Sequence, residues 1–287
     1  LVGKTIDGRY MISRLLGSGG MGRVYEADHI GLGKRVAIKF VSDTDANREQ
    51  RARFRQEARA ASRVVHEHVV QIFDVGVETA GRDYIVMEYV EGRDLDAVVR
   101  EGPLPPVRAI AIAVQILQGL HASHEAGVIH RDIKPSNIRL TNDRDFVKIM
   151  DFGIAKSIHA EVAQTDTGTG RVIGTPQFMA PEQIAGDAVD LRADLYAVGA
   201  TLFAMLAGAP PFGGFTQRMD ALATRASSLD TLRAGLPPSL VAAVARALEP
   251  SRDDRFPDAR AFADALREGA AIADARAEAA TRPHAYP

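Results

Sequence analysis

His130-Arg131-Asp132-Ile133-Lys134-Pro135-Ser136-Asn137, followed fourteen residues after Asn137 by Asp151-Phe152-Gly153, is the stretch on which the interpretation of this chain turns. It brings a carboxylate, a lysine, a side-chain amide and a second carboxylate into one short segment. Moving a phosphoryl group asks little covalent chemistry of a protein but much positioning and charge neutralisation. A site for it therefore needs metal-holding oxygens beside an acceptor-orienting carboxylate. Asp132 is the candidate for orienting an incoming hydroxyl and taking its proton, Lys134 for neutralising the moving group, and Asn137 with Asp151 for holding magnesium. Taken singly, Asp132 could cap a turn and Asn137 could bond local backbone. The order and spacing of the two triplets, together with motifs on either side, argue for chemistry instead.

Upstream, Gly17-Ser18-Gly19-Gly20-Met21-Gly22 has the G-x-G-x-x-G spacing, in which missing Cβ atoms let backbone amides approach phosphate oxygens. A dinucleotide fingerprint would continue into a helix, but Arg23-Val24-Tyr25-Glu26-Ala27 resumes a strand, so the pattern predicts a glycine-rich hairpin acting as a lid. Lys39 closes Val36-Ala37-Ile38-Lys39 and is placed to hold phosphates beneath that lid. The helical pattern from Ala46 to Val65 carries arginines at 48, 51, 53, 55, 59 and 63 and an apolar stripe of Phe54, Ala58 and Ala61. Glu57 lies near that stripe and is the expected partner of Lys39; the bland alternative is one more solvated helix charge.

Strand signals at Tyr10–Leu16, Gly22–Asp28, Arg35–Val41, Val69–Val75 and Tyr84–Val90 give way after Gly92 to helical patterns at Val107–Ala126, Asp194–Ala207, Leu240–Leu248 and Asp258–Glu268. The expected architecture is α+β and bilobal: a small, mostly β lobe over 9–90 with one key helix, a larger, mostly α lobe over 91–268, and a helical or disordered tail over 269–287. The length of 287 residues is compatible with two lobes, because single cores stop growing near roughly 250–300 residues.

A formal charge of −2 offers no global attraction for nucleic acid. With no cysteine, disulfides, thiolate zinc sites and catalytic thiols are excluded. Only 6 of the 35 basic residues are lysines, so Lys39 and Lys134 carry more information than lysines usually do. Leu195 to Gln217 holds no charge, yet its apolar part ends at Pro210-Pro211, short of the ~20 residues a membrane span needs; a buried core helix is expected there. His66 and His68 have a spacing seen in metal sites, but without supporting Asp or Cys they read as structural. The lack of cysteine fits a cytoplasmic setting; the start at Leu1 without methionine is compatible with a domain excised from a larger protein, and a membrane anchor beyond Pro287 is left open.

With these motifs in place the chain resembles the eukaryotic-like (Hanks-type) serine/threonine protein kinases of bacteria, the branch that includes the mycobacterial receptor-type kinases. The resemblance covers roughly residues 9–268. It implies ATP as cofactor with Mg2+, or Mn2+ in its place, protein substrates, and an N-lobe homodimer for phosphorylation in trans. It implies that Leu16, Gly17, Ser18, Gly19, Gly20, Gly22, Val24, Ala37, Lys39, Met87 (gatekeeper), Glu88, Val90 and Arg139 surround the nucleotide. Ala180-Pro181-Glu182 matches the family's APE segment with Arg255 as its expected buried partner, and Asp194 matches the carboxylate anchoring the catalytic loop. Lys134 and Gly174-Thr175 point to Ser/Thr as acceptor. Arg131 implies pairing with a phosphorylated loop, and Thr167 and Thr169 match the modified positions. Arg139 departs from the family, which has Leu or Met there; its stem is expected to cover adenine while its guanidinium reaches water. Rival readings are a pseudokinase that binds nucleotide as a scaffold and a small-molecule phosphotransferase.

Overall fold

Strands whose side chains alternate between two apolar clusters build the first lobe of the computed structural model, which describes residues 1–19, 22–41, 48–79, 81–141, 145–152, 176–212 and 229–268. Strands β1 (Thr5–Ile6), β2 (Tyr10–Gly19), β3 (Gly22–His29), β4 (Lys34–Val41), β5 (Ile72–Val77) and β6 (Asp83–Glu88) form an antiparallel sheet in the order β1-β2-β3-β4-β6-β5. Because successive side chains point to opposite faces, Ile38, Phe40, Tyr84 and Val86 join one outer cluster. Ala37, Val41, Ile85 and Met87 face the core shared with the rest of the molecule. Helix α1 (Arg48–Ala61) covers that inner face through Phe54, Ala58 and Ala61, the stripe visible in the sequence, with Gln50 also buried.

The second lobe is mainly helical. Its described elements are α2 (Leu95–Arg100), α3 (Pro106–Glu125), α4 (Pro181–Ala185), α5 (Arg192–Ala207), α6 (Leu229–Leu232), α7 (Pro238–Ala247) and α8 over 259–268. A small three-stranded sheet sits under the cleft: β7 (Arg93–Asp94), β8 (Ile138–Leu140) and β9 (Val147–Ile149), in that order. Every residue of α5 from Ala193 to Leu206 is buried, as expected of a helix apolar all round. Among the described residues no helix is long and apolar enough to cross a membrane.

The structure corrects two boundaries. The helix expected to reach Val65 stops at Ala61, because the amides of Arg63 and Val64 bond back to Ala60 and Ala61, three residues earlier, and tighten the last turn. The strand expected from Val69 begins at Ile72. Its first residues pair across the lobes instead: the Val70 amide donates to the Ile149 carbonyl, and the Ile149 amide to His68. Local propensity marked these residues as extended, but their partner lies 80 residues away and could not be read from pattern. The tail over 269–287 lies outside the described residues.

Candidate active site

Register brings the upper wall together. Pairing of β4 with β6 sets Ala37 opposite Met87 and Lys39 opposite Ile85. Pairing of β2 with β3 sets Gly17 opposite Val24 and Gly19 opposite Gly22, with an irregularity between Leu15 and Gly17 at Leu16. The glycine motif thus joins two antiparallel strands, as expected; Gly20 and Met21 lie outside the described residues. A Cβ added at Gly17 or Gly19 would meet nothing within 4 Å. The protein's own packing does not demand glycine there, and the space is open to a phosphate.

The floor is built by buried hydrogen bonds. Asp194, 1% exposed at the start of α5, accepts from the His130 amide at 2.8 Å and the Arg131 amide at 2.7 Å, and lies 2.8 Å from His124 Nε2. Arg131 takes φ of 63° and Asp151 φ of 46°, left-handed values that cost a non-glycine residue energy and persist only where surroundings enforce them. The His130 imidazole is fully buried, meets the Met150 carbonyl at 2.9 Å, and packs against the Phe152 ring with centroids 4.8 Å apart. Burial pushes its pKa below the ordinary 6.5, against the opposing pull of Asp194, the Met150 carbonyl, Asp132 and Asp151. This ring joins the two triplets of the motif.

The chemistry-bearing side chains fall into two groups, linked through the backbone where the Met150 amide donates to the Asn137 carbonyl at 2.8 Å. Lys39 Nζ is 2.8 Å from Asp151 Oδ1, and Lys134 Nζ is 3.1 Å from Asp132 Oδ2. Asn137, on the short 3-10 turn Pro135–Asn137, donates through Nδ2 to the Asp132 carbonyl at 2.8 Å and to Asp132 Oδ2 at 2.9 Å. The local backbone bond weighed as an alternative for Asn137 is present, and it has a consequence. With its amide nitrogen committed, Asn137 presents Oδ1 as its acceptor. That oxygen and the Asp151 carboxylate are both hard oxygen donors of the kind Mg2+ takes, an ion that uses one or two protein carboxylates and completes its shell with phosphates and water. No cluster of three or more His, Cys, Asp or Glu suited to a metal occurs among the described residues. His68 is buried with Nδ1 3.0 Å from the Val147 carbonyl, and His66 Nδ1 accepts from the His68 amide.

Behind Lys39 a small cavity is lined by Lys39, Phe54, Ile85, Met87, Asp151 and Phe152, among others. Glu57 sits half-buried on α1, next to Ala58 of the helix's inner face. Glu182 and Arg255 form the buried bidentate pair expected, at 2.7 and 2.8 Å. Arg139 differs from expectation: its guanidinium does not simply reach into water. Nε and Nη2 donate to Asp94 Oδ1 at 3.0 and 2.7 Å, and Nη1 to the Val90 carbonyl at 3.2 Å. Asp94 was not singled out in the sequence, nor was Lys148, whose Nζ lies 2.9 Å from Glu88 Oε2. The scarcity of lysine was the signal available for Lys148. Gly153 and the segment carrying Thr167, Thr169 and Thr175 lie outside the described residues.

The family profile described as "Protein kinase domain" matches residues 10–246. The chain is 42% identical over 270 residues to serine/threonine-protein kinase PksC of Streptomyces coelicolor, covering 90% of this chain and 48% of that protein. It is 41% identical over 274 residues to serine/threonine-protein kinase PknH of Mycobacterium tuberculosis, covering 92% of this chain and 42% of that protein. The chain thus spans less than half the length of these two relatives. The crystal structure of the M. tuberculosis PknI kinase domain superposes with a TM-score of 0.78 at 32% identity, covering 94% of this chain and 99% of that one. This chain belongs to the protein kinase family, as a bilobal catalytic domain of the bacterial serine/threonine kinase type.

Proposed function

We propose that this domain transfers the γ-phosphate of Mg-ATP to serine or threonine hydroxyls of protein substrates and phosphorylates its own activation loop. The observation that carries this reading is a pair of adjoining groups, Lys39 with Asp151 and Asp132 with Lys134 and Asn137, linked where the Met150 amide donates to the Asn137 carbonyl at 2.8 Å. In it, Asp132 orients the acceptor hydroxyl and receives its proton, being held by Lys134 and Asn137. Lys134 faces the group in transit and offsets its charge. Lys39 holds the non-transferred phosphates, with Glu57 of α1 as the carboxylate that steadies it. Asn137 and Asp151 would hold Mg2+, with Mn2+ as an alternative; when bound, the cation neutralises phosphate charge.

The hairpin Gly17–Gly22 covers the phosphates with its amides, and Leu16, Val24, Ala37, Met87, Glu88 and Val90 enclose the base. Thr167 and Thr169 are the proposed autophosphorylation sites, ordered by Arg131, and pairing of two N-lobes would let one copy modify the other. A phosphate adds about −1.5 to −2 charge, enough to order a loop against an arginine.

The test is incubation with labelled ATP and a generic basic protein, with a phosphosite map of wild type beside Asp132→Asn. We expect label on Ser and Thr of the substrate and on Thr167 and Thr169. Asp132→Asn should reduce transfer on the order of 10³-fold while still binding nucleotide. Equal label with wild type and Asp132→Asn would sink the assignment, and nucleotide binding without any transfer would favour the scaffold reading.

A further inference from the structure

Arg139 and Lys148 stand directly opposite each other in the β8–β9 ladder. Cross-strand partners share a face, and two like charges there repel. The pair is tolerated because each cation has its own acidic partner, and both partners lie on the segment joining the lobes or just beyond it. Lys148 reaches Glu88 at 2.9 Å, while Arg139 reaches Asp94 and the Val90 carbonyl. One cationic rung therefore grips three points of residues 88–94. Gly92 draws the connecting chain onto the same strand: at φ of 148°, a Cβ there would stand 2.1 Å from the Leu140 carbonyl oxygen.

The two grips differ in kind. An ammonium is a point charge on a flexible stem. A guanidinium is a flat fork whose donors stand at set angles, so it can hold a carboxylate and a carbonyl together in one orientation. Arg139 follows Asn137 by two residues, on the strand leaving the catalytic turn. The contact thus ties the hinge carbonyl to the element that carries the metal-binding amide. The catalytic loop has a separate anchor in Asp194.

We propose that Arg139 is a positioning residue for the nucleotide: by holding the Val90 carbonyl and Asp94 in place, it sets nucleotide affinity and leaves the transfer step alone. This rests on the nucleotide cleft of the proposed function. Nucleotide affinity is read by calorimetry with Mg-ATP in wild type, Arg139→Leu, Arg139→Lys, Asp94→Ala and the double variant Arg139→Leu/Asp94→Ala, with KM and kcat measured alongside.

Arg139→Leu should weaken affinity and raise KM about tenfold with kcat within about twofold. Arg139→Lys, which keeps the charge but not the fork, should fall between it and wild type. The double variant should be no weaker than Arg139→Leu, because both changes break one contact. Unchanged affinity in Arg139→Leu and Arg139→Lys, a fall in kcat at constant KM, or losses that multiply in the double variant would each overturn the proposal. Should Arg139→Leu fail to fold, Arg139→Lys and Asp94→Ala carry the same comparison. Because binding is measured without turnover, an inert wild type that binds Mg-ATP would refute the transfer reading and still decide the role of Arg139.

Discussion

Beneath the cleft, His130, Asp132 and Asn137 are each less than a tenth exposed, and each is held by hydrogen bonds to other buried groups. Above it, Gly17, Ser18 and Gly19 are exposed, and Gly17 and Gly19 have nothing within 4 Å of an added Cβ. The floor is preorganised by desolvated polar contacts, where a missing partner leaves a buried group unpaired. The glycine hairpin is a pair of strands whose shape comes from register, and no packed neighbour at Gly17 or Gly19 holds its surface. A group that must take a proton at a set place belongs on the first. A set of amides that follows a phosphate chain belongs on the second.

The contrast breaks down if floor substitutions are cheap or lid substitutions are costly to folding. The largest effect should come from Glu182→Ala, which strands the guanidinium of Arg255, fully buried beneath the floor. We expect a loss of about 3–5 kcal/mol in urea unfolding. Asp194→Asn should follow. An amide can accept only through its one carbonyl oxygen, so one of the His130 and Arg131 amides is left facing an NH2. A loss of about 2 kcal/mol is expected with a fall in kcat, and unaltered kcat would show that the loop keeps its shape without this anchor.

The His130 imidazole gives a pH signature. Its folded pKa lies below the unfolded value of about 6.5, so between the two values the unfolded chain binds more protons and stability rises with pH. The contribution is complete above about pH 6.5 and is lost as pH falls through the folded value. His66, also shifted downward by burial, acts in the same direction, so the relevant quantity is the difference between wild type and His130→Gln in melting temperature from pH 7 to 5. Parallel curves would mean that burial of His130 carries no penalty on protonation. The smallest effect on stability should come from Gly19→Ala, within about 0.5 kcal/mol, while KM for ATP rises roughly threefold to tenfold. A large loss of stability there would show that the lid is as rigid as the floor.

Much of this was legible in the linear chain. The apolar stripe of α1 and the strands flanking Gly17–Gly22 follow from periodicity, because burial on one face imposes a repeat on nearby residues; the all-buried α5 follows instead from its uncharged run after Asp194. The contacts of Asp132 with Lys134 and Asn137 were within reach too, since the three lie within six residues and their spacing survives folding. Out of reach of local pattern were contacts whose partners are distant in sequence; the Glu182–Arg255 pair was expected only through the family resemblance. Val70 pairs with Ile149, Lys148 with Glu88, and Arg139 with Asp94 and Val90. For Arg139 a residue's type and position suggested a charge beneath a base, whereas its surroundings supplied two acceptors that redirected it. The order of residues sets which groups exist and which lie side by side along one element. Which carboxylate meets which cation is settled when separate elements pack, because that pairing depends on distances that no local pattern encodes.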